Sequence, residues 1–218
     1  MTTGTAAVQP RLTVPFVIAY SGEIVSDPIH FVAMYGSPGS LRLSYVQPVL
    51  GDWSFGTLQA RARVDRQGSP LWRMLNPRRQ WACMVNLLCQ VCGQPARTRD
   101  GRVPWIMTET AFHRDGEEPD TAITNAPPTC WTCIPGALAM CPQLRISSTV
   151  CTAGYAAPIG ILGDVYAPLP NGEVFPTEQR NVEVRFTDKQ LLRNVLAHQL
   201  IVRVCDLNPV TTLEERAA

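Results

Sequence analysis

The chain reads as an α+β protein with a β-rich N-terminal part, a central zinc-knuckle unit of treble-clef or ribbon-like type, and C-terminal strands with a closing helix. Three observations predict this. Short segments rich in β-branched and aromatic residues fill the first seventy positions, with Gly- and Pro-bearing turns between them. An amphipathic helical pattern then opens at Asn76 and leads into a pair of cysteines. A second pair with the same internal spacing follows, so the chain carries Cys89-x2-Cys92 and Cys130-x2-Cys133.

The N-terminal strands are expected at LTVPFVIAY (12–20), IHFVAMY (29–35), LRLSYVQPV (41–49) and TLQARARV (57–64), with SDP, GSPGS, GD and RQGSP as turns. The last segment alternates, placing Leu58, Ala60, Ala62 and Val64 on one face and Gln59, Arg61 and Arg63 on the other. That pattern predicts a half-buried strand with a basic outer face. Asn76 is a good N-cap, and Pro77 suits the first helical position, where a missing N–H is harmless. Trp81, Met84, Val85 and Leu88 then fall on one helical stripe.

Between the cysteine pairs, VPWIM (103–107) and TAFH (110–113) suggest a small hairpin. After Cys133, GALAM suggests a helical turn or two, stopped by Pro142. Strands are expected at 145–152, 159–168 and VEVRF. Thr187 is expected to cap a final helix, with Asp188 in its first turn and Leu191, Leu192, Val195, Leu196 and Leu200 on its apolar face. No domain boundary is visible. Residues 11–212 are read as one globular domain, with the zinc-binding unit at about 76–145 and loose tails at 1–10 and 213–218.

Composition narrows the chemistry. The 218 residues are 45% apolar and 17% charged, a globular profile with no run approaching the roughly 20 apolar residues of a membrane helix. The N-terminus has no basic segment followed by an apolar one, so a cytoplasmic protein is expected. In a reducing compartment, paired CxxC motifs favour metal ligation or redox chemistry over structural disulfides.

Zn2+ takes four soft or borderline ligands in a tetrahedron, and two CxxC turns can close that shell. Cys89, Cys92, Cys130 and Cys133 are therefore the expected ligands of one Zn2+, with Gly93 supplying the turn after the first pair. A closed four-thiolate shell has no open position, which makes the ion structural. Cys141, seven intervening residues beyond Cys133, is a possible substitute ligand. Cys83, Cys151 and Cys205 read as small core hydrophobes. A redox role for the pairs is disfavoured because neither sits in a strand–CxxC–helix context.

Arginines cluster from Arg61 to Arg99, at 61, 63, 66, 73, 78, 79, 97 and 99, against the single acid Asp65. Arg61, Arg63, Arg78 and Arg79 are the expected contacts to nucleic acid or to a protein partner. Eighteen of the nineteen basic residues are arginine, so only the clustering is informative, and a solvated face explains it equally well. Of the three histidines, His30 and His198 read as packing or surface residues. His113 is the one alternative catalytic candidate, because it falls between the cysteine pairs.

Two resemblances rest on these residues. The order Cys89, Cys92, His113, Asn125, Cys130, Cys133 resembles that of HNH nucleases, whose zinc-clamped ββα unit carries a catalytic histidine. This chain departs from them in lacking an Asp-His pair and a histidine after the second CxxC, which leaves a second metal short of ligands. The pattern CQVCGQPA, PPTCWTC and a nearby CP, within residues 72–145, is similar to a group of actinobacterial proteins of comparable length. That resemblance implies a zinc-associated fold and carries no activity with it. The expected function is a structural-zinc interaction or regulatory protein. The alternatives are a degenerate HNH-like nuclease or a biosynthetic or modifying enzyme with an unrecognised pocket.

Overall fold

The computed structural model describes residues 13–37, 39–108, 110–111, 120–170 and 173–210. His113, both expected tails and most of the acidic run at 115–120 lie outside the described residues. The N-terminal third is a series of short strands: β1 (Ile18–Tyr20), β2 (Ile29–Ala33), β3 (Leu41–Tyr45), β4 (Trp53–Ser54), β5 (Thr57–Gln59) and β6 (Pro70–Leu75). Helix α1 (Pro77–Asn86) follows, then β7 (Val103–Thr108) and β8 (Thr121–Thr124). Next come α2 (Ile134–Met140), α3 (Pro142–Ile146), β9 (Ser148–Ala153) and β10 (Tyr155–Pro168). The chain closes with β11 (Val174–Pro176), β12 (Val182–Arg185), α4 (Lys189–Leu192), β13 (Val195–Cys205) and β14 (Asn208–Pro209). The α+β, β-rich class is as expected.

The backbone of the fold is the antiparallel pair β10–β13, which runs from Tyr155↔Cys205 to Val165↔Val195 with register shifts at Pro158–Gly160 and Leu162–Gly163. The far edge of β10 takes β12 and then β11. The far edge of β13 takes β8 at Val202–Cys205 and, in parallel, β5 at Leu196–Ala197. Between those two partners β13 would have a bare stretch. The buried Gln80 of α1 fills it: its Nε2 donates to Leu200 O (3.0 Å) and to Asn125 O (2.8 Å), and its Oε1 accepts from Leu200 N (2.9 Å). A side-chain amide thus stands in for a strand partner, as a buried backbone group requires.

A second sheet, β14-β9-β7, supplies Trp105, Met107 and Cys151 to the main core, where they meet Trp81 and Met84 of α1 and Val195, Leu200 and Val202 of β13. β1 pairs with β6, and β2 with β3.

Several local expectations are corrected. The final helix is a single turn, capped by Asp188, whose Oδ1 accepts from Leu191 N (3.0 Å), and not by Thr187. Val195, Leu196 and Leu200 belong to β13, because the Ile201-Val202-Arg203-Val204 run favours a strand and β10 offers a full-length partner. VPWIM does not form a hairpin with TAFH: it pairs with β9, and Thr110 and Ala111, the described part of TAFH, are helical. On α1 the buried residues are Arg79, Gln80, Trp81, Cys83 and Met84, while Val85 is exposed and Leu88 lies beyond the end of the helix. Finally, Val64 is exposed although Leu58, Ala60 and Ala62 are buried as the alternation predicts. No helix among the described residues is long and apolar enough to cross a membrane.

Candidate metal centre

The first cysteine pair is delivered by the way α1 stops. Asn76 Oδ1 caps its start by accepting from Arg79 N (3.1 Å), as expected for Asn-Pro. At its end Leu87 turns left-handed (φ 52) and the chain reverses into a knuckle. Cys89 N donates to Gln94 O (2.7 Å), Gly93 N donates to Cys89 O (2.8 Å), and Ala96 N reaches back to Leu87 O (2.9 Å). Gly93 has φ +74, and a Cβ there would stand 2.9 Å from the Phe16 ring, so both backbone and space demand glycine. Phe16 and Val17 donate their N–H groups to Val91 O (2.9 Å) and Gln90 O (3.1 Å), laying the N-terminal segment across the knuckle.

The second pair opens α2. Cys133 N and Ile134 N both donate to Cys130 O (2.9 and 3.1 Å), and Ala137 N donates to Cys133 O (2.9 Å). The two halves are stitched together by Gln90, whose N donates to Pro128 O (2.8 Å) and whose Nε2 donates to Thr129 Oγ1 (2.9 Å).

The result is a four-sulfur cluster. The Sγ atoms of Cys89, Cys92, Cys130 and Cys133 all lie within 4.8 Å of one another, and Cys92 and Cys130 are 3.8 Å apart. A disulfide needs about 2.05 Å. Four sulfurs at about 2.3 Å from a tetrahedral ion stand about 3.8 Å from each other. All eight cysteines are free thiols, so the spacing fits metal ligation and not cross-linking.

The thiols are unequal. Burial would raise Cys89, but N–H groups of Cys130, Cys92 and Val91 directed at its sulfur bring it below the ordinary thiol range. Burial and neighbouring thiols push Cys130 and Cys133 up. Cys141 lies outside the cluster, at the junction between α2 and α3, where Pro142 begins the second helix as well as ending the first. Cys83, Cys151 and Cys205 are buried as expected, and burial holds the first two thiols at about 12.

Between the knuckle and the helix-borne pair the strands diverge. β7 joins β9 and β8 joins β13. The ββα hairpin that an HNH resemblance implies is therefore not formed by the described strands. Asn125 donates from Nδ2 to Gln199 Oε1 (2.7 Å).

The four arginines have different fates. Arg63 and Arg78 are exposed. Arg61 is held by Asp27 (2.6 Å), by Asp52 (2.8 Å) and over the Tyr45 ring at 4.0 Å. Arg79 is 3% exposed and cannot reach a partner. It forms a fork with Glu23, Nη1–Oε1 at 2.5 Å and Nη2–Oε2 at 2.6 Å, and also donates to Ile18 O (2.7 Å). Glu23 further accepts from Tyr20 N, Asn76 Nδ2 and Arg66 N. Burial would raise the Glu23 carboxyl, but these donors, Arg79 foremost, lower it to about 2.

A cleft of about 1140 Å3 lies apart from the cysteines, with Tyr45, Arg61, Tyr166, Glu173 and both described histidines, His30 and His198, among its lining residues. His198 Nε2 stands 3.4 Å from Asp164 Oδ2. Asp164 also accepts from Asn181 N (2.8 Å) and Arg180 Nη1 (3.1 Å). Burial would raise its carboxyl, but Asn181, His198 and Arg180 hold it below its usual range. Sequence reading missed this cleft because its walls come from separate segments that share no motif.

No family model, no curated protein and no solved structure matches this chain.

Proposed function

We propose that the chain is a structural-zinc interaction protein, with one Zn2+ held by Cys89, Cys92, Cys130 and Cys133. The observation that carries the reading is the convergence of those four sulfurs within 4.8 Å. Tetrahedral all-sulfur sets select zinc or iron, and a closed shell has no position left for substrate. The ion would supply cohesion, tying the exit of α1 to the start of α2. Contact with nucleic acid or a protein partner would then fall to the exposed Arg63 and Arg78, since Arg61 and Arg79 are engaged internally. Metal analysis of the purified protein tests the first part, and Cys130→Ser should lose the metal. Nucleic-acid binding that weakens steeply with salt and with Arg63→Ala and Arg78→Ala tests the second. Salt-insensitive binding, or none, removes that partner.

One observation favours a second reading, a small-molecule-modifying enzyme. His198, on the wall of the large cleft and paired with Asp164, has the form of an oriented acid–base group. A small-molecule screen by thermal shift separates the two readings. Ligands that stabilise the wild type but not His198→Ala support the enzyme, and a screen without such ligands favours the interaction protein.

A further inference from the structure

A second cavity, of about 400 Å3, has more definite chemistry than the large cleft. Among its lining residues are Met34, Arg42, Phe55, Phe186, Lys189 and Arg193. Its volume falls within the range of small-ligand sites. Three cations line it, and among the described residues none of the three is paired with a carboxylate. The Arg42 guanidinium lies over the Trp53 ring at 4.4 Å, and its buried Nε has no hydrogen-bond partner. Arg193 makes one long side-chain contact, to Gln190 Oε1 at 3.4 Å. Lys189 is exposed at the start of α4.

The frame beneath these cations is well fastened. Leu43 N donates to Arg193 O (2.7 Å), and Trp53 Nε1 donates to Leu43 O (3.2 Å). Direct hydrogen bonds therefore join β3, β4 and the end of α4 beneath the cavity.

Phe55 is the informative residue. With Gly56 it forms the two-residue loop between β4 and β5, and both have positive φ, 53° and 84°. Such a turn favours Asn or Asp at its first position, and an aromatic side chain there is strained. Phe55 stacks on Phe186, with ring centroids 4.7 Å apart and planes inclined by 16°. Its ring also lies 6.2 Å from that of Trp81, tilted by 33°, yet the residue is 47% exposed, so part of its surface remains open to solvent. A strained turn residue offers an aromatic surface beside three cations that have no carboxylate partner among the described residues.

We infer that this cavity binds a planar aromatic anion of mononucleotide size. The ring lies against the exposed part of Phe55, and the anionic group is held by Arg42, Lys189 and Arg193. Stacking on an aromatic ring together with cationic neutralisation is the general recognition mode for such ligands. This site is separate from the cysteine cluster and from the large cleft, so it stands or falls independently of the proposed function.

The test is titration of the full-length, metal-replete protein with adenosine monophosphate, followed by calorimetry and by tryptophan fluorescence, since Trp53 lies under Arg42. Adenosine and inorganic phosphate serve as separate arms. Saturable binding of the nucleotide is expected, with each half-ligand about tenfold weaker or worse and affinity falling as salt rises. Lys189→Ala and Arg193→Ala should each weaken binding severalfold. Phe55→Asn suits the turn better and should weaken binding about tenfold while leaving the unfolding midpoint close to wild type. No nucleotide binding, phosphate binding as tightly as the nucleotide, or nucleotide affinity unchanged in all three variants would overturn the assignment.

Discussion

The two ends of helix α1 are fastened by opposite means. Its exit runs into the Cys89–Cys92 knuckle, where four soft ligands converge and could hold a metal ion. Its entrance is fastened by a polar hub in which Asn76 caps the helix and Arg79 forks onto Glu23, both 3% exposed or less. An ion that binds only the folded state adds its binding free energy to folding. A buried ion pair does not add in that way. Its two charges give up hydration to be there, and the pair contributes chiefly by being complete. The comparison teaches that the clasp should be measured by the stability it adds, and the hub by the stability lost when one partner is removed.

The clasp should give the largest effect. Cys92→Ser or Cys130→Ser should abolish tight metal binding and lower stability by several kcal/mol, a fraction of the roughly 10–16 kcal/mol seen for structural zinc in small peptides. Thermal unfolding with and without chelator checks this, and a chelator-insensitive wild type would break the contrast between the two ends. At the entrance, Glu23→Ala should destabilise by about 3–5 kcal/mol, because it leaves Arg79 buried and uncompensated. The double variant Glu23→Leu, Arg79→Met should recover most of that loss in denaturant titration. Failure to recover would mean that the hub's other hydrogen bonds, to Tyr20, Asn76 and Arg66, carry the effect.

The hub also has a pH signature. A carboxyl lowered to about 2 from an ordinary value of 4.5 gives stability that is complete above 4.5 and is lost as pH falls through the folded value. The stability gap between wild type and Glu23→Gln should therefore shrink as pH drops from about 4.5 towards 2. A gap that stays constant over this window would show that Glu23 is not ionised in the fold. Two smaller tests sharpen the picture. Gln80→Leu leaves both polar groups of Leu200 unpaired and should destabilise by about 1–3 kcal/mol. Gly93→Ala, strained in backbone and pressed against Phe16, should lose about 1–2 kcal/mol.

The sequence carries the clasp more plainly than the hub for a physical reason. Cys-x2-Cys and Asn-Pro are local statements, because knuckle geometry and helix capping are decided within a few residues. The Glu23–Arg79 pair joins residues 56 apart, and nothing near either one announces it. Arg61 has the pattern of an outward-facing strand residue, yet separate turns bring Asp27 and Asp52 around it. The segment from Thr187 to Leu200 illustrates a competition between periods. Its leucines satisfy helical spacing for one turn, and pairing with β10 then takes over. Phe55 breaks the residue preference of its turn, and such exceptions are where sequence rules point to a role beyond folding.

Metal analysis of the purified protein, paired with a count of reactive thiols before and after chelation, tests the central claim most directly. The account predicts about one zinc per chain, as a single four-ligand site requires, and four thiols that become reactive when the ion is chelated. A folded, metal-free protein, or one in which Cys92 and Cys130 are found as a disulfide, would contradict it.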